Sequence, residues 1–411
     1  NRKVISVRIG KFAALNNLSI DAVRHYMELG LILPEKQGGQ YSFDERCQSD
    51  LEDIISLKEM GFTLNEIKSI FLFKRLGKLT DYQKDTFYQS FYGNKLKEVY
   101  KQIDSLENIK GNLKQKIQEL STGENKSKHN LGIDIKCLSI FRCTKCGGDL
   151  MLDDGYITEN KIISGRLRCL CGEEYTIDDG ILIVGNRADA NDEEIDHNFI
   201  IHYINSTDKE YLNNIYTGLE WEYKRFDFAV NNHKIALELG SGKGFFLRYI
   251  YSDIPDDSVY IAVDHDIRMH RFLKGILENA DTAKNIIFIC SDFLEIPIKD
   301  KLIDVLLDIS GTSNYSFEHE QFLLDLVDHY VKDQAILLGS YIMFKKFASD
   351  SLVEEKYRKN FTLDHIKKRI MNLGYDLIEE RISDFVEKGG KYESYFKKGE
   401  KVYTYNFHGK R

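Results

Sequence analysis

The sequence predicts a multidomain chain with a helical N-terminal part, one long coiled-coil helix, a small β module and an α/β domain with a mostly parallel sheet. Three observations lead to this prediction. Short helix-like segments with tight turns come first, a heptad of apolar residues follows, and apolar runs then alternate with helix-like segments. Strand–helix alternation is typical of a parallel sheet covered by helices. The 411 residues allow several domains, with predicted bounds of 1–80, 81–122, 136–186 and 197–411.

Charge is distributed unevenly along the chain. The net charge is −8, but residues 1–128 carry 21 Lys and Arg against 17 Asp and Glu, a net charge of +4, which leaves −12 for the remainder. A basic first part suits nucleic acid, whereas the acidic remainder argues against a large nucleic-acid groove there. We expect no membrane insertion, because no apolar run reaches the ~20 residues that cross a bilayer. Closely paired cysteines and no secretory signal favour a cytoplasmic protein.

The first domain has the pattern of a helix-turn-helix. A helix is predicted over 9–15 and a second over 20–29, with Ser19 as its N-cap. In this motif the second helix lies in the major groove of DNA. A Gly-Gly-Gln-Tyr hairpin at 38–41 suits a wing against the DNA backbone. The predicted DNA-binding residues are Ser19, Arg24, His25, Tyr26 and Tyr41, although Tyr26 equally suits the domain core.

The second element is a long helix with a narrow apolar seam over about 88–120. Its apolar residues follow a heptad pattern that skips one core position, at Lys110. Such a seam on a polar helix favours a coiled-coil partner, and packing against its own domain is the alternative. The seam consists of Leu96, Val99, Ile103, Leu106, Leu113, Ile117 and Leu120.

The amino-acid sequence of this N-terminal region resembles the MerR family of bacterial transcription regulators over about 1–120. The run IGKFAALNNLSIDAVRHYMELGLILPEK carries the resemblance, together with GGQY and GFTLNEIKSIF. The resemblance implies a winged helix-turn-helix that binds promoter DNA as a homodimer, with the long helix paired antiparallel. Ser42 stands where the family usually has Arg after the wing Tyr, so one phosphate contact is in question.

The third element contains two close cysteine pairs, Cys143-Thr-Lys-Cys146 and Cys169-Leu-Cys171. Four thiolates on tight turns suit a tetrahedral structural Zn²⁺ ion. Because the second pair is CxC, Cys137 is an alternative ligand. The run CGGDL…LRCLCGEEYTIDDGILIV resembles the zinc ribbon that accompanies several methyltransferases.

The fourth element begins with a glycine-rich turn after the apolar run KIALEL. Gly240, Ser241, Gly242 and Gly244 form the turn, which lets the backbone approach a cofactor closely. Asp264 ends the next strand, where a carboxylate can accept ribose hydroxyls. The third strand ends at Asp292-Phe293, which offers a carboxylate and an aromatic face for adenine.

The identity of the cofactor depends on Glu238. An acidic side chain before the first glycine would repel a pyrophosphate but could engage an ammonium, which disfavours a nicotinamide dinucleotide. The block over 197–411 resembles class I S-adenosylmethionine-dependent methyltransferases, which have a Rossmann-like α/β fold. The resemblance implies that Glu238 and the glycines surround the methionine part of S-adenosylmethionine, that Asp264 binds its ribose, and that Asp292 and Phe293 bind its adenine.

The substrate side is expected after the fourth strand. Asp308, Asn314 and Tyr315 are weak catalytic candidates, because each also suits a structural role. Two interpretations of this domain stay open: an active methyltransferase acting on a small molecule or a macromolecule, or a domain that binds S-adenosylmethionine or another ligand and thereby controls DNA binding. A third interpretation is a methyltransferase whose helix-turn-helix serves only autoregulation or targeting.

Overall fold

The structure, a computed structural model, describes residues 7–76, 80–121, 129–185, 195, 198–226 and 234–411. The chain divides into two compact units, Asn1–Asn125 and Lys126–Arg411. Most of the residues between the predicted domains, 122–128 and 186–194 among them, lie outside the described residues. No helix among the described residues has both the length and the apolar character that crossing a bilayer requires.

The N-terminal unit packs short helices around an apolar core with a small sheet beside them. The three strands pair antiparallel in the order β1-β3-β2. Phe12, Val23, Leu51 and Ile67 are among the core residues, each with less than a tenth of its surface exposed. The elements are β1 (Val7–Arg8), α1 (Ile9–Leu15), α2 (Ile20–Glu28), β2 (Glu35–Gln37), β3 (Gln40–Phe43), α3 (Glu45–Glu59), α4 (Leu64–Leu76) and α5 (Asp81–Ser121).

A buried ion pair joins three helices of this unit. The Arg75 guanidinium, at the end of α4, donates to the Asp50 carboxylate of α3 at 2.7 Å. It also donates to the backbone carbonyls of Gly30 and Leu31, which follow α2. Only 16% of the Arg75 side chain and 8% of the Asp50 side chain are exposed. This contact therefore fixes the exit of α2 against α3 and α4.

The helix α5 runs for 41 residues, beginning seven residues before the predicted long helix. Near its start, Tyr88 and Phe91 pack against the core of the unit. Further along, the seam residues Leu96, Ile103, Leu106, Leu113, Ile117 and Leu120 are each between 45% and 69% exposed. The seam is thus an apolar stripe left open on this chain.

The C-terminal unit is built on one large mixed sheet. Its strands are β4 (Ile133–Asp134), β5 (Leu150–Thr158), β6 (Lys161–Cys169), β7 (Glu174–Asp178), β8 (Ile181–Ile183), β9 (Ile235–Leu239), β10 (Val259–Asp264), β11 (Ile286–Cys290), β12 (Ile303–Asp308), β13 (Val331–Lys346), β14 (Asp376–Ile382) and β15 (Lys401–Lys410). Its helices are α6 (Phe199–Ser206), α7 (Lys209–Tyr223), α8 (Phe245–Ile250), α9 (Ile267–Leu277), α10 (Gly311–Tyr315), α11 (Leu323–Val327) and α12 (Leu363–Asn372).

The centre of this sheet has the order β13-β12-β9-β10-β11, and these five strands are parallel. The residues of β9, β10, β11 and β12 are mostly buried and apolar, as parallel strands covered on both faces require. The chain moves outward from β9 to β11 and then returns to the other side of β9 with β12. That reversal opens a crevice at the carboxyl ends of β9 and β12, where ligands bind in sheets of this kind. The predicted α/β architecture is confirmed.

The cysteine-containing strands continue this same sheet instead of forming a separate module. The short strand β8 pairs parallel with β11, and β7, β6 and β4 follow it outward. Two backbone bonds add to the junction: Arg142 N–H donates to Pro297 O, and Lys299 N–H donates to Ile140 O, both at 2.9 Å. One apolar cluster contains residues of both regions. The segment predicted over 136–186 is therefore structurally continuous with the α/β core.

Candidate functional site

The second helix of the N-terminal unit, α2, is capped as the sequence predicts. Ser19 Oγ accepts a hydrogen bond from Ala22 N at 3.1 Å. Arg24 and His25 point outward, with 62% and 56% of their side chains exposed. Among the described residues, the Arg24 guanidinium pairs with Asp21 on the same helix, at 3.1 Å. An exposed pair of this kind contributes about 0–1 kcal/mol, so Arg24 can exchange Asp21 for a phosphate or base at little cost.

The two predicted tyrosines lie in different environments. Tyr41 is on β3, with 42% of its surface exposed and the Lys36 ammonium 5.7 Å from its ring centroid. Tyr26 is only 6% exposed and belongs to the core of the unit. The structure therefore gives Tyr26 the packing role that the sequence left open, while Tyr41 remains available to a ligand.

The four paired cysteines converge in the C-terminal unit. The Sγ atoms of Cys143, Cys146, Cys169 and Cys171 all lie within 4.8 Å of one another. The turns that carry them close with Gly147 at φ +71° and Gly172 at φ +92°, conformations that suit glycine. Cys137 is not part of the cluster, and its Sγ instead contacts Asn285 Oδ1 at 3.9 Å. The alternative ligand is therefore unnecessary.

The cluster has the dimensions of a tetrahedral thiolate site. Cys143 Sγ lies 3.7 Å from Cys171 Sγ, and Cys146 Sγ lies 3.4 Å from Cys169 Sγ. Metal–sulfur bonds of ~2.3 Å in a tetrahedron place sulfurs about 3.8 Å apart. The Tyr175 hydroxyl donates to Cys143 Sγ at 3.6 Å, as partners of ligand atoms do in metal sites. The four thiols can hold a metal ion.

The glycine-rich turn lies at the crevice between β9 and β12. Gly240, Gly242 and Gly244 all have positive φ, at +72°, +51° and +69°. At Gly244 a Cβ would also collide with the Leu273 side chain. The Gly240 and Ser241 amides both donate to Val263 O, which fixes the turn against the end of β10. The backbone thus borders a cavity of about 350 Å³ that no side chain of the turn fills.

Glu238 is the acidic residue in the wall of this cavity. It is 2% exposed, and one of its carboxylate oxygens accepts a hydrogen bond from the Tyr260 hydroxyl at 2.9 Å. Burial raises the pKa of Glu238 to about 7, and the Tyr260 bond opposes that rise. A cation in the cavity would favour the ionised carboxylate, whereas a phosphate would oppose it. The donor set therefore fits the ammonium of an amino-acid group better than a pyrophosphate.

Asp264 holds the glycine turn in place. Its Oδ2 accepts from Gly242 N at 2.8 Å, and its Oδ1 accepts from Asp266 N at 2.9 Å. A carboxylate has about four acceptor sites, so two remain for hydroxyl groups. Ser241 Oγ, which also lines the cavity, is buried and has no hydrogen-bond partner among the described residues. Both side chains are thus positioned to bind a polar ligand.

The remaining predicted residues divide between the cavity wall and its surroundings. Asn314 lines the cavity, whereas Asp308, Tyr315, Asp292 and Phe293 are not among its lining residues. Asp308 is fully buried, its Oδ1 accepts from Thr312 N at 2.8 Å, and burial raises its pKa to about 6. It therefore caps the loop after β12. The Tyr315 ring stacks on His319 with a centroid distance of 3.9 Å.

The two residues predicted to bind adenine, Asp292 and Phe293, also contact neighbouring loops instead of lining the cavity. Asp292 Oδ1 accepts from Leu294 N at 3.0 Å, and the Phe293 ring lies 3.5 Å from the position that a Cβ on Gly240 would take. Both therefore support the loops around the cavity in this structure. An aromatic face toward the cavity comes instead from residues that sequence reasoning missed, namely Phe199, Tyr203, Phe245 and Tyr392. Lys243, Asp266 and Met269 were also missed.

Comparison with known proteins identifies the N-terminal unit. Residues 7–73 match the family described as "MerR HTH family regulatory protein". The match covers the three-stranded sheet, α1 to α3 and most of α4, and it confirms the resemblance over these residues but does not include α5. None of the curated proteins matches the chain.

Solved structures that are similar to part of the chain include three of low sequence identity. MccD protein is 13% identical, covers 47% of this chain and 96% of its own, and has a TM-score of 0.36. A SAM dependent methyltransferase from Aquifex aeolicus is 18% identical, with coverages of 47% and 88% and a TM-score of 0.31. A SAM-dependent methyltransferase from Geobacter sulfurreducens in complex with S-adenosylhomocysteine is 15% identical, with coverages of 41% and 67% and a TM-score of 0.32. Scores this low assign no activity.

Proposed function

We propose that this protein is a cytoplasmic, homodimeric regulator that binds promoter DNA through its N-terminal unit and S-adenosylmethionine through its C-terminal unit. The observation that carries the proposal is that one chain contains both a MerR-type helix-turn-helix and a cavity lined by Glu238, the glycine turn and Asp264. In this proposal the open apolar seam of α5 pairs antiparallel with the same helix of a second copy. Zn²⁺ is the structural ion of the four-cysteine cluster.

Each group in the cavity has a distinct task in the proposed binding. Glu238 pairs with the ligand ammonium, the backbone of the glycine turn lies against the methionine part, and Asp264 accepts the ribose hydroxyls. Bound S-adenosylmethionine supplies an electrophilic methyl group on a sulfonium. The chain then acts either as a methyltransferase or as a domain whose occupancy controls DNA binding, which requires different ligand affinities in the two DNA-binding states.

A second candidate is a methyltransferase, with a small-molecule or RNA substrate, whose helix-turn-helix serves only autoregulation or targeting. The observation that favours it is the extension of the cavity beyond the glycine turn to Asn314 and Tyr392. A domain that only senses the cofactor has no need for a second compartment.

Footprinting on the protein's own promoter separates the two candidates. A regulator should protect DNA, and S-adenosylmethionine should alter the cleavage pattern or the protein concentration at half-protection. Arg24→Ala should reduce protection because it removes the exposed cation of α2, while Lys209→Ala, on a C-terminal surface helix, is the control. Protection that is identical with and without S-adenosylmethionine would favour the second candidate, and protection unaffected by Arg24→Ala would contradict the assigned DNA-binding helix.

Binding of S-adenosylmethionine should weaken as the pH falls. Burial raises the pKa of Glu238 to about 7, so the carboxylate is mostly neutral at pH 6 and mostly ionised at pH 8. If the ionised form alone binds the ammonium, the affinity measured by calorimetry should fall about tenfold between pH 8 and pH 6. The Glu238→Gln variant should bind S-adenosylmethionine weakly at both pH values.

The control ligand for this prediction is 5′-methylthioadenosine, which lacks the amino-acid group. Its affinity should change little with pH or with Glu238→Gln. An S-adenosylmethionine affinity that stays constant from pH 6 to pH 8 would contradict the role assigned to Glu238.

A further inference from the structure

Four aromatic rings form one wall of the cofactor cavity. Phe199 and Tyr203 come from α6, Phe245 begins α8, and Tyr392 lies between β14 and β15. The Tyr392 centroid is 5.0 Å from that of Phe199 and 5.8 Å from that of Tyr203. Three of these rings, Phe199, Tyr203 and Tyr392, are mutual neighbours, and we call them the aromatic cage.

The chain's own ammonium occupies this cage. Lys243 Nζ lies 3.4 Å from the ring centroid of Phe199 and 5.9 Å from that of Tyr392. No carboxylate oxygen among the described residues lies within ion-pair distance of Nζ, so the ring faces are its nearest electrostatic partners. Burial lowers the pKa of Lys243, and the more distant Asp266 and Asp264 oppose that shift. The cage therefore holds a partly desolvated cation.

The other walls of the cavity have the charge that suits a cation. Three acidic residues line it, namely Glu238, Asp264 and Asp266. The basic residues that line it are Lys243 and His265. If a ligand cation displaced the Lys243 side chain, it would meet the rings of the cage, in a cavity that is acidic elsewhere. Desolvated cation–π contacts of this kind are how proteins recognise quaternary ammonium groups.

We propose that the aromatic cage binds the amino group of a methyl acceptor, so that the acceptor is an aliphatic amine and the product an N-methylated ammonium. In the absence of an acceptor, Lys243 takes its place. The inference rests on the proposed binding of S-adenosylmethionine to the adjoining part of the same cavity. It assigns that cavity two compartments, one for the cofactor beside Glu238 and one for the acceptor beside Tyr392.

The transfer balances without any further reactant. An acceptor that enters the cage as an ammonium first gives one proton to water. The lone pair of the resulting neutral amine forms a bond to the methyl carbon as the carbon–sulfur bond breaks, and the electron pair of that bond stays on sulfur as a neutral thioether. The nitrogen becomes a methylated cation, and a primary or secondary amine then releases one proton to water. The positive charge thus moves from sulfur toward the rings of the cage, which stabilise it on nitrogen.

Binding of choline and of its neutral isostere 3,3-dimethylbutan-1-ol tests the cage directly. The two molecules have nearly the same shape and differ in charge. With the full-length protein, calorimetry should give choline at least a tenfold higher affinity than the isostere, both with and without saturating S-adenosylhomocysteine. Equal affinities, or binding of neither compound, would overturn the proposal.

Variants of the cage make the test specific. Tyr392→Leu, at a position that is 43% exposed, should lower the choline affinity at least tenfold and leave the S-adenosylmethionine affinity within twofold. Lys243→Met should raise the choline affinity several-fold, because it removes the competing ammonium. Phe385→Leu is the matched control, since Phe385 is an exposed aromatic with Lys345 Nζ at 5.7 Å but lies outside the cavity.

The outcomes distinguish this inference from the proposed function. If Tyr392→Leu weakens S-adenosylmethionine but not S-adenosylhomocysteine, the rings serve the sulfonium and the acceptor proposal is wrong. If the wild-type protein binds no S-adenosylmethionine, the proposed function fails, while the choline titrations without S-adenosylhomocysteine still decide whether the cage recognises an ammonium.

Discussion

Replacing Cys146 by Ser should abolish the proposed zinc binding and lower the melting temperature of the C-terminal unit by about 10–20 °C. Structural zinc sites contribute strongly to folding, with apparent binding free energies of about 10–16 kcal/mol in small domains. In a unit of this size each kcal/mol lost lowers the melting temperature by about 1.7 °C, so a loss of about 6–12 kcal/mol gives the expected shift. The effect should spread beyond the cysteines, because β6, β7 and β8 connect the cluster to the central strand β11.

The measurement combines metal analysis with fluorescence. Wild-type protein should contain about one zinc ion per chain. Trp221 is the single tryptophan and lies on α7 of the C-terminal unit, so its emission follows that unit alone. Cys137→Ala is the matched control, because Cys137 is a buried cysteine of the same region outside the cluster, and it should keep its zinc. A wild-type protein that is folded, metal-free and equally heat-stable would rule out the structural ion.

Arg75→Met should destabilise the N-terminal unit by about 3–5 kcal/mol, the usual cost of removing one partner from a buried pair. The variant leaves the Asp50 carboxylate buried without its cation, and the carbonyls of Gly30 and Leu31 lose their donor. Since those carbonyls follow α2, DNA binding should fall with stability. Helical circular dichroism during urea unfolding measures the loss, while the Trp221 transition should stay unchanged.

The neighbouring residue provides the control for this variant. Lys74 pairs with Asp53 at 2.6 Å between the same two helices, but 42% and 48% of these side chains are exposed. Lys74→Met should therefore cost about 0–1 kcal/mol. Asp50→Leu combined with Arg75→Met should recover part of the loss, because no unpaired charge remains. Equal effects of Arg75→Met and Lys74→Met would mean that burial of the pair contributes nothing.

Local signals in the sequence predicted the elements that local interactions determine. The helix over 9–15 and the cap at Ser19 were predicted at the residues where they occur. The central strands could be predicted because each contains a continuous apolar run. The glycine turn could be predicted because positive φ restricts the residue type. The spacing of the cysteines predicted the four members of the cluster, although the CxC pair left Cys137 as an alternative ligand.

Features that depend on distant pairing could not be predicted in the same way. The strand β8 has only three residues, and its partner β11 lies more than a hundred positions later, so no periodicity connects them. Phe199 and Tyr392 are even further apart in sequence, and an isolated aromatic residue does not indicate which cavity it borders. Asp308 ends β12 as expected, whereas β11 ends at Cys290, two residues before Asp292, and each aspartate side chain caps its own loop. Local hydrogen bonds to the backbone decided their orientation.

The pairing of β8 with β11 determines where this protein can be divided for production in parts. A fragment beginning at residue 197 would omit β8 and leave Ile286–Cys290, a strand whose five residues are all buried, as a bare sheet edge. Exposed apolar edges of this kind recruit strands from other molecules and aggregate. A fragment that begins at residue 129 keeps the edge covered. The cofactor-binding domain should therefore be expressed together with the cysteine-containing strands, as one fragment.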